Sequence, residues 1–482
     1  MIEKFSILIL FDRCVILQRV GLRVDNSEIL ELKEIVTNSL SKILKYIDYS
    51  DYEIEEYTQL VSQYKTEKDD EKLRAIRIKL NKLFFDCYRE CVHRVFESPG
   101  VPPEVQMFLL FGYMDERIAG FQNAIAICKL TERYGYIEKE NTLSLFEWLC
   151  LITRGERWPS MNDMSVDYEQ DLRERLKNKE ITEAEFNQFM KNEKMKLDYE
   201  LDNAFSIMKR VSGSPTRFLA MFSEDSLEKP ILKSVLMNDE VDKVLGEIIN
   251  VDVNLFNHEY TYANPSVGIE NVRIQKEIKP DIILLPIIGS RPMMWQEIEG
   301  RNRQTPARMF FPKFLNAELK DTLIKCCGAY RWEFCKREQG ARWQDVSDPS
   351  VCAYFYNYIQ TFKKNHQLSQ EQKEKVSAQY ARYRHNIKDI FVEDYHKFIA
   401  NEAEGNIRLN KVSRSILMRF CYFNKNIRAE LIKNNLYTEY INVVNNKIEH
   451  DKKLIVVMKK RVEDNGARIP REILEFEELV NR

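Results

Sequence analysis

The chain has 482 residues, 44% hydrophobic and 31% charged, with 73 basic and 75 acidic side chains leaving a net charge of -2. That length holds about three domains at ~150 residues each, and the hydrophobic share is enough for a real core. The balanced charge argues against a dedicated nucleic-acid binder, which carries a basic excess or stripe.

Gly (15) and Pro (14) are scarce, so few turns and long elements are expected, with helix dominant. The ten cysteines, at 14, 87, 91, 128, 150, 326, 327, 335, 352 and 421, form no dense framework. With no signal-peptide pattern ahead of them, they read as reduced cytoplasmic thiols. The first apolar run, Ile7–Phe11, is broken by Asp12 and Arg13 and lacks a cleavage site. No stretch approaches the ~18 apolar residues that span a bilayer, so no membrane contact is expected.

Residues 1–225 read as a helical domain. Pro102-Pro103 opens a helix with Val105, Phe108 and Leu109 near its start, and Gly112 to Glu116 lies inside that pattern. Gly155, Trp158-Pro159 and Asn162 mark an ordered loop. Thr182 and Glu185 make a capping box. Phe186, Met190, Leu197, Leu201, Phe205 and Met208 then share one face of a helix running to Val211. Ser212-Gly213 stops it.

Residues 226–348 read as a mixed α/β centre. Val251–Leu255 and Ile274–Ile288 contain β-type runs, broken by Asn264-Pro265 and Gly268. Ile282–Ile288 is continuously apolar, as for a strand buried on both faces. Residues 349–482 read as a long-helix C-terminal domain. A capping box at Ser369 and Gln372 opens one helix through Glu404, with Val376, Tyr380, Tyr383, Ile387, Phe391, Tyr395 and Phe398 as its stripe. That stripe packs on this chain or on a partner. Tyr437–Val462 is a second long helix, with Ile441, Val444, Ile448, Ile455, Met458 and Val462 on one side. The fold class expected is mainly α, with helical bodies flanking a small α/β centre.

The densest chemistry lies in the centre. Arg291, Trp295, Glu297, Glu299, Arg301, Arg303 and Arg308 follow the apolar run, then Arg331, Trp332, Glu333, Arg342, Trp343 and Asp345. Arginine forks bind phosphate or carboxylate in bidentate fashion, and tryptophan faces stack on bases or cations. The ligand-binding candidates are therefore Arg291, Trp295, Glu297, Arg301, Arg303, Arg308, Arg331, Trp332, Arg342 and Trp343. The plainer reading is that these arginines and acids pair with one another and lock the region onto the helices. Glu297 and Glu299 are the candidate catalytic acids; at i, i+2 they diverge on a helix and share a face only if extended.

No metal site and no cofactor are expected: the six histidines lack His-Glu-x-x-His spacing, and Cys87, Cys91 and His93 sit among apolar residues. There is no Gly-x-Ser-x-Gly and no P-loop. Basic, aromatic-interleaved residues at Tyr380–His385 and at Arg408, Lys411, Arg414 and Arg419 suggest nucleic acid or an acidic partner, against a solvated helix face.

Several words together carry a resemblance. They are Pro280–Leu284, Gly289-Ser290-Arg291, Met294–Gly300, Arg331-Trp332-Glu333, Gly340–Trp343, Arg408–Lys411, and Pro102–Val105 through Phe111-Gly112-Tyr113. From about residue 100 onward the chain resembles the C-terminal companion region of large bacterial cytosolic proteins labelled by a Crp-type cyclic-nucleotide-binding domain. The resemblance implies a signalling context and assigns no catalytic residue. The phosphate-binding Phe-Gly-Glu…Arg-Ala stretch of a cyclic-nucleotide cassette is missing, since Phe111-Gly112 is followed by Tyr113.

The function expected is a regulatory or scaffolding module of bacterial, cyclic-nucleotide-linked signalling. It would act by contact with a protein partner or a second copy, with anion binding at the central cluster. The alternatives are an enzyme on a phosphorylated or nucleotide-like substrate at that cluster, and nucleic-acid binding through 380–419.

Overall fold

The computed structural model describes residues 26–97, 100–133, 141–157, 168–295 and 308–482. The first apolar run, Trp158-Pro159 and Asn162 of the loop, and Glu297, Glu299, Arg301 and Arg303 lie outside the described residues. The chain is mainly α. It divides into two compact units: one takes residues up to Val241 with Ile282–Met293 and Met309–Glu318, the other Asp242–Asp281, Met294–Arg308 and Leu319–Arg482. Residues 226–348, read from sequence as a separate centre, are thus shared between the two units.

In chain order the helices up to the first unit's boundary are α1 (Asn26–Val36), α2 (Ser39–Tyr46), α3 (Asp51–Thr66), α4 (Asp70–Glu97), α5 (Pro103–Phe111), α6 (Glu116–Ala119), α7 (Phe121–Arg133), α8 (Leu145–Thr153), α9 (Tyr168–Lys177), α10 (Glu183–Lys191), α11 (Glu193–Val211), α12 (Ile231–Ser234) and α13 (Asn238–Val251). The strands are β1 (Thr142–Ser144), β2 (Asn257–Asn264), β3 (Ile269–Glu277), β4 (Asp281–Gly289), β5 (Met293–Trp295) and β6 (Arg308–Leu315). The second unit continues with α14 (Leu319–Gln339), α15 (Val351–Thr361), α16 (Gln370–Arg382), α17 (Ile387–Ala400), α18 (Lys411–Phe420), α19 (Lys425–Leu431), α20 (Asn435–Asp464) and α21 (Arg471–Asn481).

The expected buried strand is β4. It sits inside a four-strand sheet of order β1-β4-β6-β5, pairing in parallel with β1 so that Thr142 opposes Ile282. Sheet neighbours on both sides and packing on both faces explain its unbroken apolar run. β2 and β3 form a separate antiparallel hairpin. Its apolar side, with Tyr262, Ile269 and Ile274, packs on Ile455, Met458, Val462, Ile473 and Phe476 of α20 and α21. That is the anchor for the second half of α20.

Four expectations change. Val251–Leu255 is not a strand: α13 ends at Val251, Asp252 makes an isolated bridge to Phe423, and turns follow. The Thr182–Val211 helix is two, because Asn192 leaves helical geometry and its side chain caps α11 by accepting from the Met195 N–H at 3.3 Å. The helix expected through Glu404 is also two. Arg384 and His385 adopt left-handed φ of 49° and 67°. Their N–H groups close the end of α16 on Ala381 and Tyr380 carbonyls, and Asn386 caps α17. Lastly, Gly112 ends α5 instead of lying within it, with φ of 73°. The capping boxes at Thr182 and Ser369 and the long helix across Tyr437–Val462 are present.

Candidate functional site

The expected central cluster falls into separate surroundings. In the first unit, β4 runs out at Gly289, whose backbone lies so close to Val211 that a Cβ would stand 2.4 Å from the Val211 carbonyl oxygen. The Arg291 N–H donates to that same carbonyl at 3.1 Å, which ties the Gly289-Ser290-Arg291 corner to the end of α11. Arg291 itself is exposed. Trp295 lies in β5. Arg308 is buried in β6.

In the second unit Arg331 of α14 is paired within the protein. Arg331 Nε donates to Asp252 at 2.8 Å, one of its terminal nitrogens donates to the other Asp252 oxygen, and the same nitrogen reaches Asn254 at 2.7 Å. Asp252 is fully buried and also accepts from Tyr395 Oη at 2.6 Å. Trp332 is buried among Trp343, Phe355 and Phe391. Arg342 is exposed, and Trp343 is half-buried with the Lys336 amine 5.0 Å over its ring. A buried charge needs a partner, and that of Arg331 is met by an acid that lies 79 positions away.

A second buried pair supports the C-terminal helices. Glu402 accepts from Arg414 Nε at 2.7 Å, from Tyr437 Oη at 2.6 Å, and from the Arg408 and Leu409 N–H groups at 2.8 Å each. Burial pushes the Glu402 carboxyl up, but the Arg414 and Tyr437 bonds and the two N–H groups outweigh it and hold the group below its ordinary value. Arg414, read from sequence as part of a basic stretch, is thus internal; Arg382, Arg384, His385, Arg408 and Lys411 are exposed. The part of the Tyr-rich stripe on α17 is internal as well, while Tyr380 and Tyr383 are half-buried. Ile387, Phe391, Tyr395 and Phe398 of α17 are buried, and α17 packs along α14. Hydrophobic periodicity showed that the stripe is covered; the covering element is this chain, so α17 is not the partner face.

His93 is buried on α4 and bonded to Asp198 at 2.8 Å, while Cys87 and Cys91 are packed in the core. Among the described residues no group of three or more His, Cys, Asp and Glu is placed to hold a metal. No helix among them is long and apolar enough to cross a membrane.

Two sets of residues escaped the sequence reading. Lys313 is fully buried in β6, and burial pushes its amine down to about 7 against the pull of Glu147 and Asp239. Its only signal is a lysine inside the run Met309–Leu315. The other set is on α20. Tyr437, Ile441, Val444, Ile455, Met458 and Val462 face inward, as expected. Leu436, Val443, Val456 and Val457 face out, 48 to 65% exposed. Leu436, Val443, His450 and Val457 recur every seven residues, so they form one line along the outer side of the helix.

Residues 340–478 match a family model described as Domain of unknown function (DUF8509). The matched segment runs from the end of α14 into α21 and contains the Glu402–Arg414 pair and all of α20. Comparisons with curated proteins and with solved structures return no match.

Proposed function

We propose that the chain is a regulatory or scaffolding module that works by protein contact, and that α20 carries the contact. The observation behind this reading is the outward line Leu436, Val443 and Val457 on a 30-residue helix whose other side is already buried. Apolar side chains at seven-residue spacing are what a second helix reads. The occupant proposed is a second copy of the chain. The line is symmetric about the middle of the helix, so an antiparallel copy sets Leu436 against Val457 at both ends and Val443 against His450 between them. The same pairing brings exposed Glu439 beside exposed Lys453 of the second copy, giving opposite charges at the rim of a self-complementary interface.

The signalling context rests on the resemblance alone, and the matching family model is one of unknown function. An anion site is not needed for this reading, because Arg331 is already neutralised by Asp252. Sedimentation velocity of the whole chain across the micromolar range is the test. The expected result is a monomer–dimer equilibrium, weakened at least about tenfold, or about 1.4 kcal/mol, by Val443→Glu combined with Val457→Glu. A wild-type chain that stays monomeric across that range, or a dimer indifferent to the double substitution, would overturn the proposal.

A further inference from the structure

α16 buries far less than the helix beside it. Of its thirteen residues Val376 alone is buried, whereas α17 buries seven of fourteen. A helix of that length is marginal by itself in water, and helices in proteins are held chiefly by the apolar face they bury. Tyr380 and Tyr383 add only half-buried rings. The ends of α16 are closed by its own segment. The Ser369 N–H donates to Gln372 at 3.0 Å and the Gln372 N–H to Ser369 Oγ at 3.2 Å. At the other end the Arg384 and His385 N–H groups donate to the Ala381 and Tyr380 carbonyls at 3.0 and 2.9 Å. The Lys375–Glu371 ion pair and the Tyr380–His385 ring contact are internal as well. All of these interactions move with the helix if it moves.

Among the described residues only two hydrogen bonds and no ion pair reach from residues 369–385 to another helix. Gln379 Nε2 donates to Asp394 Oδ1 at 3.2 Å, and Tyr383 Oη donates to Glu393. Both acceptors are neighbouring acids on α17, and both have other partners. The Lys397 amine lies 2.8 Å from Glu393 and 3.6 Å from Asp394, and Ser413 Oγ of α18 donates to the second Asp394 oxygen at 2.6 Å. Departure of α16 therefore leaves neither carboxylate unpaired. The joint between the two helices is under strain, because Arg384 and His385 both hold left-handed φ, a conformation that costs a residue with a side chain.

We propose that α16 is a hinged latch, pinned to α17 by the Gln379–Asp394 and Tyr383–Glu393 bonds, that opens about the Arg384-His385 joint while α14, α17 and α18 stay packed. Opening relieves the strained joint. It bares the Asp394 carboxylate, which is buried when the latch is shut, and frees the side of α16 that carries Val376, Tyr380 and Tyr383. The closing free energy is small because one buried apolar side chain and two hydrogen bonds supply it. The latch shares no residue with the α20 contact, so either proposal can fail alone.

The test is hydrogen–deuterium exchange of the full chain at neutral pH, resolved by peptide. Amides of α16 are expected to exchange at least about tenfold faster than those of α17 and α14, as local opening requires. Gln379→Ala combined with Tyr383→Phe is expected to speed α16 by a further factor of at least about five, the loss of two hydrogen bonds to acids, with α14 and α17 unchanged. Brief trypsin treatment of the wild-type chain is expected to cut first after Lys375, Arg382 or Arg384. Exchange of α16 as slow as that of α17 in the wild-type chain would overturn the proposal, and that comparison needs no variant. So would a double variant in which α14, α16 and α17 all speed up together, since the two bonds would then support the whole unit instead of a latch.

Discussion

Asp252 and Arg331 show how much one buried residue governs. Asp252 has no water contact and accepts from two arginine nitrogens and the Tyr395 hydroxyl. Replacing it with Asn leaves the Arg331 guanidinium buried without its counter-charge, a change that costs about 3–5 kcal/mol. Asp252→Asn is therefore expected to lower the denaturation midpoint strongly, whereas Arg342→Ala, at an exposed site, is expected to change it by less than about 0.5 kcal/mol. Equal midpoints for Asp252→Asn and wild type in a urea titration would show that the pair is not doing this work. Gly289 makes a second residue-scale case. A methyl group there would meet the Val211 carbonyl oxygen at 2.4 Å, and backbone cannot give way cheaply. Gly289→Ala is expected to destabilise the first unit by more than the about 1 kcal/mol of an ordinary surface change, read as a lower thermal midpoint.

At the scale of elements, chain breaks decided what periodicity could not. The pattern from Val376 to Phe398 keeps helical spacing across Tyr383–Asn386, yet the helix stops there and restarts. The signals for this are local: Asn386 followed three residues later by Asp389, which it bonds at 2.8 Å, and two residues in left-handed geometry. Left-handed φ costs a non-glycine residue about 1–2 kcal/mol. Part of that is recovered by glycine, less the entropy that glycine adds to the unfolded chain. Arg384→Gly is thus expected to be neutral to stabilising, by up to about 1 kcal/mol, where the same change inside a continuous helix would cost that much. A clear loss of stability on chemical denaturation would argue for an unbroken helix. α20 is the contrasting element. Its inner face was legible at 3.6-residue spacing, and its outer apolar line is equally plain in the sequence. Only the hairpin packed on Ile455, Met458 and Val462 tells which of the two faces is still open.

At the scale of the whole molecule, acid stability is set by groups that the fold keeps from titrating normally. His258 hydrogen-bonds to Tyr330 at 2.9 Å and packs on Phe334. Burial, with Arg337 and Lys276 adding, pushes its imidazole down to about 3. The folded chain keeps it neutral while the unfolded chain binds a proton below about 6.5. Its contribution is therefore present above about pH 6.5 and falls as pH drops towards 3, by up to about 1.4 kcal/mol per unit. Glu402 acts in the same direction lower down. Its depressed value means that its contribution is present above its ordinary value and is lost as pH falls through the folded one. Stability from denaturant titrations at neutral pH and near pH 5 is expected to fall for wild type, and to fall less for His258→Gln; parallel losses would remove His258 from this account. What the sequence by itself determined is the helical class, the caps at Thr182 and Ser369, the doubly buried β4 and the extent of α20, because each is written in side chains close together along the chain. What only the tertiary structure decided is which charges are neutralised. Arg331 finds Asp252 and Arg414 finds Glu402 across separate elements, and no local spacing encodes a partner chosen by packing.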